Sequence, residues 1–347
     1  MPRAFILGGT GQIGIAVAAK LIAQGWQVAL GSRGNQTVPQ HVIDSGVTRV
    51  GLDRSEDGAI GVAIGSGCDL LFDTVAFDET DARQLLAVQH HVGQIIAVSS
   101  ASVYRDAKGR TLDEARENGF PELPERMTEE QPTVEPGPDT YSTRKVAMER
   151  ILLESARAPA TILRPCAIHG PFSAHPREWW FVKRLIDGRE AIPLAYRGRS
   201  RFQTTATANL AELVSVIASN KAEGVYNIPD PDAPNVHEIG QAIISACDIQ
   251  AQLVPVETQA HPSSIGATPW SIPNPFTISD GRARNLGYEP VGDYGATVAT
   301  SCAWLMSQPS ERWKSLFPQL AAYPFDLFDY TLEDQYFSES ASRKRDG

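Results

Sequence analysis

Apolar residues fall along this chain in short runs that alternate with amphipathic stretches. Ala4-Phe5-Ile6-Leu7 is an apolar run that stops at Gly8, as a buried parallel strand does. Between residues 11 and 24, Ile13, Val17, Leu21 and Ile22 recur at helical spacing, and Gly25 ends the pattern. A strand restarts at residues 26–30. Further strands are predicted at 49–52, 70–74, 95–98 and 160–163, with helices at 55–64, 79–90 and 141–157. From 104 to 141 the periodicity disappears among Glu, Asp, Arg and five prolines (Pro121, Pro124, Pro132, Pro136, Pro138). After residue 165 the texture is irregular, with Trp179-Trp180-Phe181 and an Arg-rich stretch holding Arg197, Arg199 and Arg201. A helix at 209–219, a strand at 225–228 and a helix at 237–247 follow.

Strand and helix alternating at this pace predict an α/β chain, a Rossmann-type doubly wound parallel sheet with helices on both faces. The expected organisation is a Rossmann domain over 1–165 and a smaller, mixed α/β C-terminal substrate lobe over 166–337. Some segments of the lobe return to the Rossmann sheet, and 338–347 form a polar, flexible tail. The 105–140 insertion reads as a solvated loop or, more sharply, as a lid, because its ends adjoin the Ser99-Ser100 pair and Tyr141.

Gly8, Gly11 and Gly14 follow a strand and open a helix, the context that gives a glycine motif meaning. Such a loop lets the backbone approach a pyrophosphate, which the helix N-terminus receives. The alternative is a tight turn with no ligand. The loop residues Gly8, Thr10, Gly11, Gln12, Ile13 and Gly14 are therefore the candidate dinucleotide cradle. The second strand ends Leu30-Gly31-Ser32-Arg33, with no carboxylate to take a ribose 2′-hydroxyl. Ser32 and Arg33 thus favour NADP(H) over NAD(H), and Asp53 is a candidate for the adenine amino group; a surface Arg and a surface Asp are the bland alternatives.

Tyr141 and Lys145 lie four apart on a predicted helix and share one face. An ammonium there favours the phenolate and lowers the Tyr pKa from its usual ~10, so the phenol exchanges a proton near neutral pH.

The net charge of −10 argues against a nucleic-acid binder, whose footprint should be basic. Cys68, Cys166, Cys247 and Cys302 are scattered without metal-ligand spacing and read as reduced thiols; no metal site is expected. Strand-like residues from Ala4 leave no room for a signal peptide, and no apolar run reaches the roughly 20 residues of a membrane span. The expectation is a cytoplasmic protein with no membrane partner.

The motifs together resemble the extended short-chain dehydrogenase/reductase superfamily, in its NAD-dependent epimerase/dehydratase branch, over residues 3–305. The markers are the glycine loop, Val98-Ser-Ser-Ala-Ser-Val-Tyr104, Tyr141-x-x-x-Lys145 and Leu163-Arg-Pro-x-x-x-His-Gly-Pro171, then Gly224-Val-Tyr-Asn227 and Ala283-Arg-Asn-Leu-Gly-Tyr-Glu-Pro290. The resemblance implies that Ser100 hydrogen-bonds the reacting oxygen, Tyr141 exchanges its proton, and Lys145 tunes the Tyr and holds the nicotinamide ribose. It adds Val75, Ala76 and Ser99 to the cofactor residues, and Ser100, Ser102, His169 and Arg199 are candidate substrate contacts. Trp179, Trp180 and Phe181 wall a pocket or fill the lobe core. Dehydratases of this branch carry Asp-Glu where this chain has Ala101-Ser102, so dehydration is not expected. Asp73-Thr74-Val75-Ala76 also departs from the family's His-Leu-Ala-Ala.

Three functions fit: an NAD(P)-dependent oxidoreductase interconverting a secondary alcohol and a ketone, a nucleotide-sugar epimerase with tightly held NAD(P), and a non-catalytic dinucleotide- or RNA-binding relative. The first is favoured, with a small-molecule substrate, no nucleic-acid partner and the homodimer common in the family.

Overall fold

The computed structural model describes residues 1–34, 38–257 and 265–345. Its strands are β1 (Arg3–Leu7), β2 (Gln27–Ser32), β3 (Thr48–Gly51), β4 (Leu70–Asp73), β5 (Ile95–Val98), β6 (Ala160–Pro165), β7 (Ala167–His169), β8 (Ala191–Leu194), β9 (Thr204–Ala206), β10 (Gly224–Ile228) and β11 (Gln252–Pro255). Seven of them form one parallel sheet in the order β10-β6-β5-β4-β1-β2-β3. β4, β5 and β6 are buried at every position, which is why they read as continuous apolar runs and not as alternating ones. The doubly wound α/β fold expected from the alternation is the fold observed.

The chain divides into two compact units. The first holds Met1–Ile168, Thr204–Pro231 and Ile278–Val291. Its core brings Phe5, Leu71, Ile95 and Ile162 of the sheet against Leu85, Met148 and Leu152 from the helices Glu79–Val88 and Tyr141–Ser155. The helix Gln12–Ala23 packs along Thr207–Asn220, a helix that returns from far along the sequence. β10, from the same returning stretch, pairs with β6 in parallel.

The 105–140 stretch is fastened to this unit at several points. Arg105 N donates to Pro132 O at 3.0 Å and Val134 N to Val103 O at 2.9 Å. Asp106 gathers the N–H groups of Lys108, Arg110 and Glu122 and the Arg110 guanidinium. That concentration of donors holds its carboxyl down at about 2.

The second unit holds His169–Gln203, Asp232–Thr277 and the stretch from Gly292. β8 and β11 pair in parallel, and the helices Trp179–Ile186, Val236–Cys247 and Tyr294–Met306 pack on one another. Trp179, Trp180 and Phe181 open the first of these helices and are fully buried core residues. The helix escapes a periodicity reading because its eight residues, with Lys183 and Arg184 side by side, are too few to show a period; even its Arg184 is buried, ion-paired with Glu333 at 2.6 Å. The helix Tyr330–Arg345 runs through the segment whose composition predicts a frayed tail; residues 346 and 347 lie outside the described residues.

Candidate active site

The glycine loop joins β1 to the Gln12–Ala23 helix. Gly8 has a positive φ of 71°, and a Cβ there would lie 2.6 Å from Val75 Cγ1. At Gly14 a Cβ would lie 2.5 Å from Gly9 Cα, so the helix starts hard against the loop. No side chain caps this helix and no carboxylate stands in its first turn. Its first N–H groups therefore keep their partial positive charge for an anion. Gln12 Oε1 is buried with no hydrogen-bond partner among the described residues. Ile13 and Thr10 are buried behind the loop.

At the end of β2, Ser32 accepts from Gly34 N at 3.3 Å while Arg33 is exposed. Asp53 accepts from Ser55 N and Ser55 Oγ at 3.0 and 2.8 Å, which lowers its pKa, with Arg33 adding a smaller pull in the same direction. Arg33 and Asp53 thus stand close enough to feel each other, side by side at the ends of adjacent strands.

On the far side of the loop, Asp73 ends β4. Its Oδ1 accepts from Val75 N at 2.9 Å and Ala76 N at 2.8 Å, closing the turn that leaves Val75 exposed and Ala76 buried. The Lys145 Nζ donates to Ala76 O at 2.6 Å and Val98 O at 3.0 Å. Burial pushes its pKa from 10.5 down to about 8. Tyr141, one turn earlier, is 46% exposed. Its ring lies 5.7 Å from Lys145 Nζ and 5.6 Å from the Phe77 ring. The Tyr–Lys face predicted from spacing is present, with one difference. Two of the three ammonium protons are taken by main-chain oxygens, so one N–H remains for anything beyond the protein.

Ser100 sits two residues after Val98 and caps the short turn at 101–103, accepting from Ser102 N at 3.1 Å. Its own O–H stays free to donate. Ser102 bonds Ser142 Oγ through both its hydroxyl (2.9 Å) and its carbonyl (3.0 Å), which ties the turn after β5 to the helix carrying Tyr141. Asp113, from the 105–140 stretch, accepts from Ser142 N at 2.7 Å at the start of that helix. Ser99 donates to Glu149, which is buried and paired with Arg164 (Nε to Oε1, 3.0 Å). The guanidinium of Arg164 lies 4.9 Å from the Tyr104 ring, and Tyr104 donates to Asn227 at 2.6 Å.

Sequence reasoning missed Asp73, Arg54, Asp113, Glu149 and Arg164. The signals were there. Glu149 follows Lys145 at the same spacing by which Lys145 follows Tyr141, and Asp73 closes an otherwise apolar strand. His169 and Arg199 belong to the second unit. His169 is buried with its ring 4.8 Å from that of Tyr294, whereas Arg199 is exposed; the neighbouring Arg197 is ion-paired with Glu257. No group of three or more His, Cys, Asp or Glu side chains among the described residues is arranged to hold a metal ion.

Residues 8–171 match a family model described as NAD(P)H-binding. A curated relative, the chloroplast stem-loop binding protein of 41 kDa b from Arabidopsis thaliana, is 26% identical over 240 residues. The match covers 65% of this chain and 58% of that relative. Among solved structures, a dTDP-glucose 4,6-dehydratase from Bacillus anthracis in complex with NAD has a TM-score of 0.67 at 16% identity, covering 91% of this chain and 100% of that one. The Bordetella bronchiseptica enzyme WbmH in complex with NAD+ has a TM-score of 0.68 at 18% identity over 88% and 99%. A Thermus thermophilus UDP-glucose 4-epimerase complex with NAD has a TM-score of 0.65 at 17% identity over 88% and 100%. Residues 8–171 thus match the NAD(P)H-binding family model, and the chain has the fold of these epimerase and dehydratase structures, as its motifs led one to expect. No helix among the described residues is long and apolar enough to cross a membrane.

Proposed function

We propose that this protein is an NAD(P)-dependent oxidoreductase that interconverts a secondary alcohol and a ketone. The observation that carries the reading is the exposed Tyr141 phenol on the same helical face as the buried Lys145 ammonium, beside a glycine loop too tight for side chains at Gly8 and Gly14. The loop, the open helix N-terminus and Gln12 fit a dinucleotide, which when bound supplies the hydride donor or acceptor. Tyr141 passes its proton to the substrate oxygen in reduction and takes it back in oxidation. Ser100, accepting from Ser102 N, donates its O–H to that same oxygen. The remaining Lys145 N–H would be available to the nicotinamide ribose of a bound cofactor, and the ammonium, 5.7 Å from the Tyr141 ring, favours phenolate. Ala101 and the Ser102 hydroxyl, which is held by Ser142, supply no acid–base pair for dehydration.

NADP(H) is the favoured cofactor. Arg33 is exposed at the end of β2, and Oδ1 of Asp53, the carboxylate that feels its charge, already accepts twice from Ser55. Fluorescence titration with NADPH and NADH tests both parts: tighter NADPH binding is expected, and binding of neither would sink the enzyme reading. Cofactor that co-purifies and never exchanges during turnover would instead indicate an epimerase.

The name of the Arabidopsis relative favours a second reading, recognition of an RNA stem-loop. The net charge of −10 opposes it, because binding to phosphate backbones rests on Lys and Arg. A mobility-shift assay with a stem-loop RNA at low salt separates the two readings; a shift unaffected by Tyr141→Phe, with no dinucleotide binding, would replace the first by the second.

A further inference from the structure

Asp73 has no exposed surface and stands at the end of a strand whose other three residues are apolar. A carboxylate in such a place is costly unless its oxygens are matched. Both are: Oδ1 accepts from the Val75 and Ala76 N–H groups, and Oδ2 accepts from Arg54 Nη1 at 2.9 Å. All three partners are donors, so the ionised form is the one that fits, even though burial pushes its carboxyl up against the pull of Arg54. Arg54 is fixed in turn by Gln84 (3.1 Å) and by Asp81 (3.0 Å), and Asp81 accepts from Phe77 N at 2.7 Å. Two carboxylates therefore pin residues 75–77, and the carbonyl in the middle of that stretch, Ala76 O, receives Lys145.

We propose that Asp73 is a positioning residue for Lys145: it fixes the turn that receives the ammonium and stands as its main buried countercharge. The charged groups around Lys145 come from four elements. Asp73 ends β4, Glu149 lies one turn on in the same helix, Asp81 stands on the Glu79–Val88 helix, and Arg54 follows β3. The three carboxylates favour the ammonium and Arg54 opposes it, with Asp73 foremost among them; the Tyr141 ring completes the surroundings. Without Asp73, burial alone would drive Lys145 towards the neutral amine at physiological pH.

The effect on turnover rests on the oxidoreductase reading, but the effect on Lys145 does not. The test is the titration of the Lys145 Nζ by NMR in the ligand-free protein, comparing the native chain with Asp73→Asn. The amide oxygen can still accept from Val75 and Ala76, so the variant removes charge while keeping the turn. The midpoint is expected to fall from about 8 by about one pH unit or more; an unmoved midpoint overturns the proposal. Should the loss of one of the two carboxylate partners of Arg54 prevent folding, the paired variant Asp73→Asn with Arg54→Gln removes that ion pair as a unit and leaves Asp81 its bond from Phe77 N. It is expected to move the midpoint in the same direction, and an unchanged or raised midpoint overturns the proposal. In turnover, Asp73→Asn should lose about two-fold in kcat/KM at pH 7 and about five-fold at pH 8, recovering as pH falls, a pattern that mere loosening of the turn would not produce. If the native protein binds no dinucleotide, the oxidoreductase reading fails while the NMR titration still decides the role of Asp73.

Discussion

Glu149 and Arg164 form an ion pair with both side chains almost fully buried, one from the helix that carries Tyr141 and the other from β6. Glu149 also accepts from Ser99, so this pair locks the end of β5 to that helix. Removing one partner strands a buried charge. Glu149→Ala should cost about 3–5 kcal/mol of stability, read by urea denaturation. Glu149→Gln keeps most of the geometry and should cost visibly less. Equal losses in the two variants would mean that the charge, which both remove, is all that matters.

Tyr141→Phe removes one oxygen from a half-exposed ring and keeps that ring against Phe77. Turnover should fall by about 10²–10⁴-fold, the usual contribution of a positioned acid–base group, while NADPH affinity and Tm stay within error. A variant that retains activity would remove Tyr141 from the mechanism.

Lys145 gives the site its pH dependence. Its pKa is lowered from 10.5 to about 8 by burial. Between those values the unfolded chain still holds the proton that the native protein has lost, so the burial penalty is complete below about pH 8 and fades as pH rises. Stability should therefore increase across that window. Carbonyl reduction, which uses the charged form, should decline through the same range. A kcat/KM profile in the alkaline direction checks this, and the residual activity of Lys145→Arg should lack the limb.

Gly14→Ala would place a methyl against Gly9 Cα. Opening the loop to admit it should cost about 1–3 kcal/mol and weaken NADPH binding at least ten-fold, measured by titration. Undiminished affinity would move the dinucleotide away from this loop.

In the second unit, burial drops His175 from its usual 6.5 to about 3, with Arg177 contributing in the same sense. The unfolded chain takes up a proton at about 6.5 and the native protein does not, so stability is lost progressively as pH falls below that point. Melting scans from neutral to acid pH should show the decline, and His175→Phe should flatten it.

The strands of the sheet, the glycine turn and the Tyr–Lys face were all legible, because buried parallel strands and helix spacing leave direct marks in sequence. Charges drawn into the interior were not. Asp73, Glu149 and Arg164 look like ordinary polar residues until the fold brings Arg54 to Asp73 from 19 positions away, joins Glu149 to Arg164 across 15, and adds Ser99 to Glu149 from 50. The Trp179–Ile186 helix was hidden for another reason, its eight residues being too few to show a period. The 105–140 stretch has no period of its own, since its order comes from single bonds to Val103, Ser142 and Asn227.

β10 pairs with β6 although more than fifty residues separate them, many of them in the second unit. The seven-stranded sheet is therefore unfinished on the ribosome until residue 228 has emerged. Until then β6 presents a bare row of peptide donors and acceptors. A nascent chain stalled or cleaved before residue 224 should be the form that chaperones hold and proteases remove, whatever the completed protein does.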